Sequence, residues 1–262
     1  MKFKGKQKWI NGVIIIKTEV LCMYEFEYMN KLSQCLQEGY ETNKETIKEL
    51  AEVFAKNIME DRIIHTFGTG HSHMIGIELF ARAGGLGNIN AMLDPDVITS
   101  NGAQRSCALE KLSGLSDIVY DNYKINAGDL MIISSNSGRN AMPIEMAMRC
   151  KKEGVITLAV TNLKQSQQTT SRHASGKKLY ELCDYVLDTC VPSGDAMMDV
   201  NGLKTGPAST IASMALLNTV WTEAIKIVTD KGFRPYVFQS QNVDGFDNEA
   251  IYKKYDGRIK GY

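Results

Sequence analysis

The sequence has no surplus of charge of either sign, because 30 lysine and arginine residues are balanced by 30 aspartate and glutamate residues. A neutral chain has no general attraction to nucleic acid or to anionic lipid, so any anionic ligand must be held by a local site. We therefore expect neither nucleic acid nor a membrane among its partners. With 44% hydrophobic and 23% charged residues, the composition is that of an ordinary globular protein.

The six cysteines also lack any CxxC pair or Cys/His spacing that would indicate a zinc site or a disulfide framework. They are typical of small buried residues in a reducing compartment. No apolar run approaches the roughly 18 residues that span a bilayer. The run Val13-Ile14-Ile15-Ile16 is shorter than a signal-peptide core of about 7–15 residues. These absences predict a cytoplasmic protein that uses neither a metal nor a cofactor.

No internal repeat, low-complexity tract or linker divides the chain. Its patterns predict a leader, an N-terminal helical extension, an α/β domain and an ordered C-terminal arm outside the core, at residues 1–22, 23–60, 61–231 and 232–262. The leader is lysine-rich and is either non-native or flexible, or an edge strand, so Met23 and Met29 are alternative starts to Met1. The extension has apolar residues at three- and four-residue steps, which predicts an amphipathic helix or a helical hairpin broken near Gly39.

Apolar runs followed by glycine- and serine-rich turns, and then by helical spacing, recur in the α/β domain. Residues 63–67 lead into Gly68-Thr69-Gly70-His71-Ser72, and residues 130–134 lead into Ser135-Asn136-Ser137-Gly138-Arg139-Asn140. Runs that do not alternate with polar residues are typical of strands buried on both faces, so we predict a mostly parallel sheet with helices on both sides. Further strands are predicted at residues 89–93, 155–160 and 185–187, and helices at residues 75–83, 109–123, 143–153 and 205–230.

The two turns are candidate phosphate-binding loops, because open parallel sheets bind ligands beyond the carboxyl ends of their strands. Glycines let backbone N–H groups approach an anion, Ser72 adds a hydroxyl, and each following helix points its positive dipole end at the same place. Neither turn has the lysine of a Walker loop or the GxGxxG spacing, which disfavours a nucleotide site. One such turn with a serine cap is ordinary architecture, so it is the pair that predicts a phosphate pocket.

The two turns resemble the signature loops of the sugar isomerase (SIS) domain family, whose members bind phosphosugars. The resemblance covers roughly residues 63–230 and implies a three-layer α/β/α sandwich around a mostly parallel, five-stranded, flavodoxin-like sheet. It also implies which side chains hold the sugar phosphate, namely Ser72, Ser135, Asn136, Ser137 and Asn140. Asn140 stands where the family often has threonine. Gly70 and His71 belong to the first loop, where His71 would orient the phosphate.

Other segments are similar to particular branches of this family. Residues 202–209 resemble the Leu-Lys-x-Gly-x-Ala stretch that opens the final helix in the etherase and glucokinase-regulatory branches. This implies that Lys204 pairs with the phosphate or a sugar hydroxyl, the alternative being a solvated lysine before a helix. Residues 171–179 and 235–242 resemble an uncharacterised bacterial branch described as phosphosugar or phosphoheptose isomerases. The resemblance further implies a homodimer with its sites near the interface.

Two residues are candidates for moving protons between C1 and C2 of a sugar phosphate. Glu78 shares a predicted helix face with His71 and Arg82 and is the candidate base. Phosphoheptose isomerases have their catalytic glutamate where this chain has Arg82, and a surface ion pair between Glu78 and Arg82 is the alternative. His173 follows a polar stretch that suits a lid, and it is the candidate ring-opening acid across a dimer interface. The alternative is an exposed loop histidine.

Two functions of different classes follow from these patterns. The first is an aldose–ketose sugar-phosphate isomerase or a related sugar-phosphate enzyme. The second is a non-catalytic phosphosugar sensor that acts through protein contacts, so enzymatic activity remains open. A DNA-binding regulator is disfavoured, because the residues before the first strand predict one helix or hairpin and the chain has no basic surplus.

Overall fold

The computed structural model describes residues 24–262 and, as backbone only, the antiparallel strands β1 (Gln7–Ile10) and β2 (Val13–Ile16). Apart from these two strands, the predicted leader over residues 1–22 lies outside the described residues.

One continuous helix, α1 (Glu27–Met59), runs through the predicted N-terminal extension. The alternative of a hairpin broken near Gly39 is therefore wrong. A Cβ atom built on Gly39 would lie 3.8 Å from the carbonyl oxygen of Thr189 and 3.9 Å from Cδ2 of Leu216. These are ordinary van der Waals distances, so the helix continues through Gly39 at the roughly 1 kcal/mol that glycine costs relative to alanine in a helix.

Five parallel strands form the central sheet, in the order β4-β3-β5-β6-β7. They are β3 (Ile64–Gly68), β4 (Ile89–Met92), β5 (Leu130–Ser134), β6 (Ile156–Thr161) and β7 (Tyr185–Asp188). The predicted α/β class with a mostly parallel, five-stranded sheet is confirmed. After β3 the chain adds β4 on one side, and it then adds β5, β6 and β7 on the other. The direction of strand addition thus reverses between β3 and β5.

Helices cover both faces of this sheet. The helices that follow α1 in the chain are α2 (Met74–Leu79), α3 (Ala103–Leu109), α4 (Leu115–Asp121), α5 (Ala141–Lys152), α6 (Leu163–Gln168), α7 (Ser209–Asp230) and α8 (Glu249–Tyr255). Helices α1, α2 and α7 pack on one face with Ile132 and Val160, and α4 and α5 pack on the other with Phe67 and Met131. Alternate strand residues enter different apolar cores, which explains why the strand sequences do not alternate.

Three predicted helices are shorter than the sequence indicates. The helix after β3 ends at Leu79 rather than near residue 83. A turn at Gly114, with φ of 87°, separates α3 from α4 where one helix over residues 109–123 is predicted. The last core helix begins at Ser209 rather than residue 205. The residues before it form an antiparallel hairpin of β8 (Ala196–Val200) and β9 (Leu203–Pro207).

The C-terminal arm forms an apolar cluster of its own, separate from the cores on the two faces of the sheet. Its buried apolar side chains are Phe238, Ile251, Tyr255 and Ile259, which pack with Ile63. The Gly87 amide donates to the Tyr236 carbonyl at 2.7 Å. The Lys260 amide donates to Asn90 Oδ1, on the edge strand β4, at 3.3 Å. The arm therefore lies along that edge of the sheet.

At the opposite edge of the sheet, a side chain from α1 occupies the place of a neighbouring strand. Asn43 donates from Nδ2 to the Asp188 carbonyl at 2.8 Å. Its Oδ1 accepts from the Asp188 amide, also at 2.8 Å. Asn43 is buried, and it satisfies backbone groups of the edge strand β7 that would otherwise lack partners.

Within residues 24–262, α7 is the single helix that is long and apolar enough to cross a membrane by length and composition. Its residues Leu217, Val220 and Ala224 are buried in the core against α1, α2 and the sheet. Such burial is the ordinary situation of a core helix.

The described part of the chain contains five cysteines, and all are free. Cys35 and Cys150 are buried, as the sequence predicts, whereas Cys107 is exposed. Burial raises the pKa of the Cys183 thiol to about 12, so this thiol stays protonated near neutral pH. Cys22 lies outside the described residues.

Candidate functional site

The two candidate loops leave the sheet side by side. Gly68, the last residue of β3, pairs with Ser134, the last residue of β5, so both loops start at the same level of neighbouring strands. The strand order reverses between these two strands, and the helices that follow them pack on opposite faces. A crevice at such a reversal is where open α/β sheets bind ligands.

The loop from Ser135 to Asn140, which we call the serine loop, presents a row of free backbone donors. Within the described residues, no hydrogen bond is donated by the amides of Asn136, Ser137, Arg139, Asn140 and Ala141. Gly138 has φ of 57°, and its own amide donates to Ser135 Oγ at 3.2 Å, which curves the loop. Helix α5 starts at the end of the loop and adds its positive dipole end. These amides, which we call the amide cradle, suit an anion.

Two predicted phosphate ligands on the serine loop keep a side-chain donor free. The Ser137 hydroxyl and the Asn140 Nδ2 group have no partner among the described residues. Asn140 Oδ1 accepts a hydrogen bond from Arg172 Nη1 at 3.0 Å. The Asn136 side chain instead braces the loop, donating from Nδ2 to Gln165 Oε1 at 3.2 Å. Ser135 also supports the loop, because its Oγ accepts from the Gly138 amide. Ser137 and Asn140 therefore keep donors free for a ligand, whereas Ser135 and Asn136 hold the loop in place.

The loop after β3 is fixed from the side of β4. Its Gly70 amide donates to the Val97 carbonyl at 2.9 Å, and its Ser72 amide donates to the Thr69 carbonyl at 3.0 Å. The Ser72 hydroxyl and the His71 amide have no partner in the described part of the chain, and the His71 side chain is exposed. This loop therefore offers one hydroxyl and one amide beside the amide cradle.

Glu78, the candidate base, lies on α2 and forms an ion pair with Arg82. Arg82 follows the end of α2 at Leu79, so the two residues do not share one helix as predicted. Asn218 of α7 donates from Nδ2 to Glu78 Oε1 at 3.5 Å. The carboxylate therefore lies half-buried between α2 and α7.

Lys204 lies on the exposed hairpin of β8 and β9. Its ammonium group is 2.8 Å from Asp199 Oδ2, and its side chain is 71% exposed. Its ion-pair partner thus belongs to the same hairpin, and not to either candidate loop.

His173 lies in the segment between α6 and β7, which packs against the serine loop. Its Nε2 is 3.4 Å from Glu145 Oε1 on α5, and its Nδ1 accepts from the Ser175 amide at 3.2 Å. Both ring nitrogens therefore have partners within the chain. The ring must turn away from Glu145 before it can protonate a sugar oxygen.

His65 and Asp129 form a buried network inside the sheet. His65 Nε2 is 3.3 Å from Asp129 Oδ2, and His65 Nδ1 is 3.3 Å from Asn90 Nδ2. Asp129 also accepts from the amides of Ile63 at 3.1 Å and Asn126 at 2.9 Å. Burial alone would raise the pKa of Asp129, but the hydrogen bonds from His65 and the two amides outweigh it, and the pKa is lowered. These contacts are those of a structural network.

The free groups at the two loops are N–H and O–H donors, which suit an anion and not a cation. Among residues 24–262, no three His, Cys, Asp or Glu side chains are grouped so that they would hold a metal ion.

A SIS domain model matches residues 27–162, a range that includes α1 and both candidate loops. The chain belongs to the SIS domain family, which confirms the resemblance seen in its loop sequences. A UPF0309 protein of Halalkalibacterium halodurans is 37% identical over 233 residues, covering 87% of this chain and 96% of the relative. A UPF0309 protein of Caldanaerobacter subterraneus subsp. tengcongensis is 35% identical over 240 residues, covering 89% of this chain and 98% of the relative.

Among solved structures, a phosphoheptose isomerase from Neisseria gonorrhoeae is similar with a TM-score of 0.50. The similarity covers 77% of this chain and 95% of the isomerase, at 16% sequence identity. The fold of this chain is therefore that of the SIS domain.

Proposed function

We propose that this chain binds a sugar phosphate between β3 and β5, with the phosphate on the amide cradle. The observation that carries the proposal is the set of five amides at the start of α5 that have no acceptor within residues 24–262. The free hydroxyls of Ser72 and Ser137 lie on the two loops that flank the same crevice. A neutral cradle of this kind holds a dianion without a surplus of lysine and arginine, which agrees with the net charge of zero.

We further propose that the reaction is an aldose–ketose isomerisation, carried out in the cytoplasm by a homodimer with sites near its interface and without a metal or cofactor. Glu78 would move the proton between C1 and C2, since it is half-buried on the helix that follows the first loop. His173 would open the ring after turning away from Glu145. In the phosphosugar sensor, the alternative function, both side chains would keep the intrachain partners described above.

The experiment that tests the proposal is a thermal-shift screen with glucose 6-phosphate, fructose 6-phosphate and sedoheptulose 7-phosphate. Proton NMR in D₂O then follows the tightest binder for interconversion or for exchange of the C2 proton. Stabilisation with turnover supports the isomerase, and stabilisation without turnover supports the sensor. If no sugar phosphate stabilises the protein, the proposed site is wrong.

Replacing Ser137 by alanine is expected to weaken sugar-phosphate binding about 10- to 100-fold. A hydrogen bond to a charged group contributes about 1.5–3 kcal/mol, and 1.4 kcal/mol corresponds to about tenfold in affinity. Isothermal titration calorimetry measures the change. Ser113→Ala, at an exposed serine between α3 and α4, is the matched control and should bind normally. Unchanged affinity in Ser137→Ala would place the phosphate elsewhere.

Replacing Glu78 by glutamine is expected to lower the isomerisation rate by at least 100-fold while the ligand affinity changes less than about threefold. General base catalysis contributes about 10²–10⁴ in rate, and glutamine keeps the shape of the side chain but cannot accept the proton. NMR rates and calorimetry separate the two effects. Glu223→Gln on α7, which removes a half-exposed carboxylate paired with Lys226, should retain full activity. An unchanged rate in Glu78→Gln would remove this assignment.

A further inference from the structure

We infer that Arg139 and Arg172, at the rim of the serine loop, bind a second anionic group of the ligand, so that the ligand is a doubly acidic sugar phosphate. The inference rests on the proposed sugar-phosphate site and narrows its substrate class. It concerns a carboxylate or a second phosphate carried by the same sugar, in addition to the phosphate on the amide cradle.

Hydrogen bonds to neutral groups fix both guanidinium groups beside the cradle. The Arg172 amide donates to the Arg139 carbonyl at 2.8 Å, which brings the two residues together. Arg172 Nη1 donates to Asn140 Oδ1 at 3.0 Å. Arg139 Nη2 donates to Thr170 Oγ1 at 3.2 Å. These contacts leave most of the five N–H donors of each guanidinium for another acceptor.

Neither arginine has a carboxylate partner within the described residues. The Nε atom of Arg139 is buried and also lacks a hydrogen-bond partner. By contrast, Arg149 at the other end of α5 forms three ion pairs with carboxylates. Arg139 is partly buried and Arg172 is exposed. The buried, unpaired part of the Arg139 guanidinium is unfavourable in the free protein, and an anionic ligand would reduce that cost.

The surroundings of the two arginines are also short of negative charge. Residues 154–180 contain four cations and no aspartate or glutamate. Lys178 is buried beside Arg139, and its pKa is lowered by burial and further by the arginine charge, although Glu181 opposes the shift. Its ammonium group donates to backbone carbonyls at the end of α6 and not to a carboxylate.

The carboxylates near this cluster have other partners. Glu145 accepts from the Gly114 amide at 2.8 Å and lies 3.4 Å from His173 Nε2. Glu181 accepts from the Lys178 amide at 2.7 Å. Residues 24–262 therefore supply no carboxylate in an ion pair with either arginine.

The phosphate on the cradle does not require these guanidinium groups. A phosphate monoester has three strong acceptor oxygens, and the five free amides with the Ser72 and Ser137 hydroxyls already supply about two donors for each. The planar fork of a guanidinium group matches a carboxylate or phosphate with two parallel hydrogen bonds. A second acidic group on the sugar is thus the partner that fits the arginines.

The test is calorimetric titration of the full chain with glucose 6-phosphate, 6-phosphogluconate and fructose 1,6-bisphosphate. The first ligand has one anionic group, the second adds a carboxylate, and the third adds a second phosphate. We expect at least one doubly acidic ligand to bind ten or more times more tightly than glucose 6-phosphate. Tighter binding of 6-phosphogluconate would identify the second acidic group as a carboxylate, and tighter binding of fructose 1,6-bisphosphate would identify it as a phosphate.

Arg172→Gln should remove at least tenfold of this preference while glucose 6-phosphate binding changes less than threefold, which also shows that the variant is folded. Arg139→Gln should likewise remove at least tenfold of the preference, measured as the ratio of the affinities for the doubly acidic ligand and for glucose 6-phosphate. Lys177→Gln, at an exposed lysine of the same segment, should retain the preference. Equal losses for all ligands would show that the arginines hold the first phosphate, and no preference in the original chain would equally overturn the inference. Absence of binding by all three ligands would overturn the sugar-phosphate site itself.

Discussion

Replacing Gly138 by alanine is expected to abolish sugar-phosphate binding and to lower the free energy of unfolding by about 2–4 kcal/mol. The left-handed conformation of this residue, with φ of 57°, costs an L residue about 1–2 kcal/mol. The new Cβ would also lie 3.2 Å from Thr161 Oγ1, Ser166 Oγ and Leu179 Cβ. Since these atoms lie in the packed interior, the serine loop must move outward, and the amide cradle loses its shape.

Gly176→Ala separates the two contributions. Gly176 has φ of 70°, but a Cβ there would meet no atom within 4 Å. This variant should lose only about 1–2 kcal/mol from backbone strain and should bind ligand normally. Chemical denaturation and calorimetry on both variants measure the difference. Equal effects on stability and binding would show that close packing around Gly138 does not shape the cradle.

Replacing Asp129 by asparagine is expected to lower the free energy of unfolding by about 3 kcal/mol, because removing one partner from a buried charged network leaves the others unmatched. Asp129 accepts from His65 and from the amides of Ile63 and Asn126, and all of these contacts are formed by a carboxylate that is 2% exposed. Asparagine keeps one acceptor oxygen and turns an NH₂ group toward the remaining donors. Urea denaturation at neutral pH measures the loss.

The pH dependence of this loss has a defined sign. The pKa of Asp129 is lowered in the folded chain, whereas an unfolded aspartate titrates near pH 3.9. The contribution of the carboxylate to stability is therefore complete above the unfolded value and is lost as the pH falls through the folded one. The difference between the original chain and Asp129→Asn should therefore shrink as the pH falls below about 4.

Asp244→Asn, at an exposed loop position, is the matched control and should have the same denaturation midpoint as the original chain at each pH. A difference between Asp129→Asn and the original chain that persists unchanged to pH 3 would contradict the ionised network.

The parallel sheet was predictable from the sequence because its strands are buried on both faces. Residues 130–134, for instance, are apolar up to the closing serine, and the glycine or serine turns mark the strand ends. The hairpin of β8 and β9 was not predictable in this way. It is largely exposed, with Met197 as its buried residue, and the Gly206-Pro207 sequence at the end of β9 resembles a helix start. The contacts of Gly39 with Thr189 and Leu216 also join residues distant in sequence.

The residues of the candidate site also differ in how far the sequence alone could predict them. The serine loop carries its chemistry in consecutive residues, so local sequence was sufficient to find it. Arg172 was missed because its contact with Asn140 joins residues that are far apart in the chain. Its one local signal is the absence of acid over residues 154–180. The intrachain partners of Glu78 and His173 were equally hidden, since Asn218 and Glu145 belong to other helices.

The C-terminal arm along β4 has a consequence for how copies of this chain can associate. Edge strands carry unpaired backbone groups that recruit further strands, and uncontrolled recruitment leads to aggregation. Here the arm lies along the β4 edge of the sheet, where it contacts Gly87 and Asn90. At the β7 edge, Asn43 forms hydrogen bonds with the backbone of Asp188. Both edges of the central sheet are therefore contacted by other parts of the same chain, which protects them against pairing with a strand of another molecule.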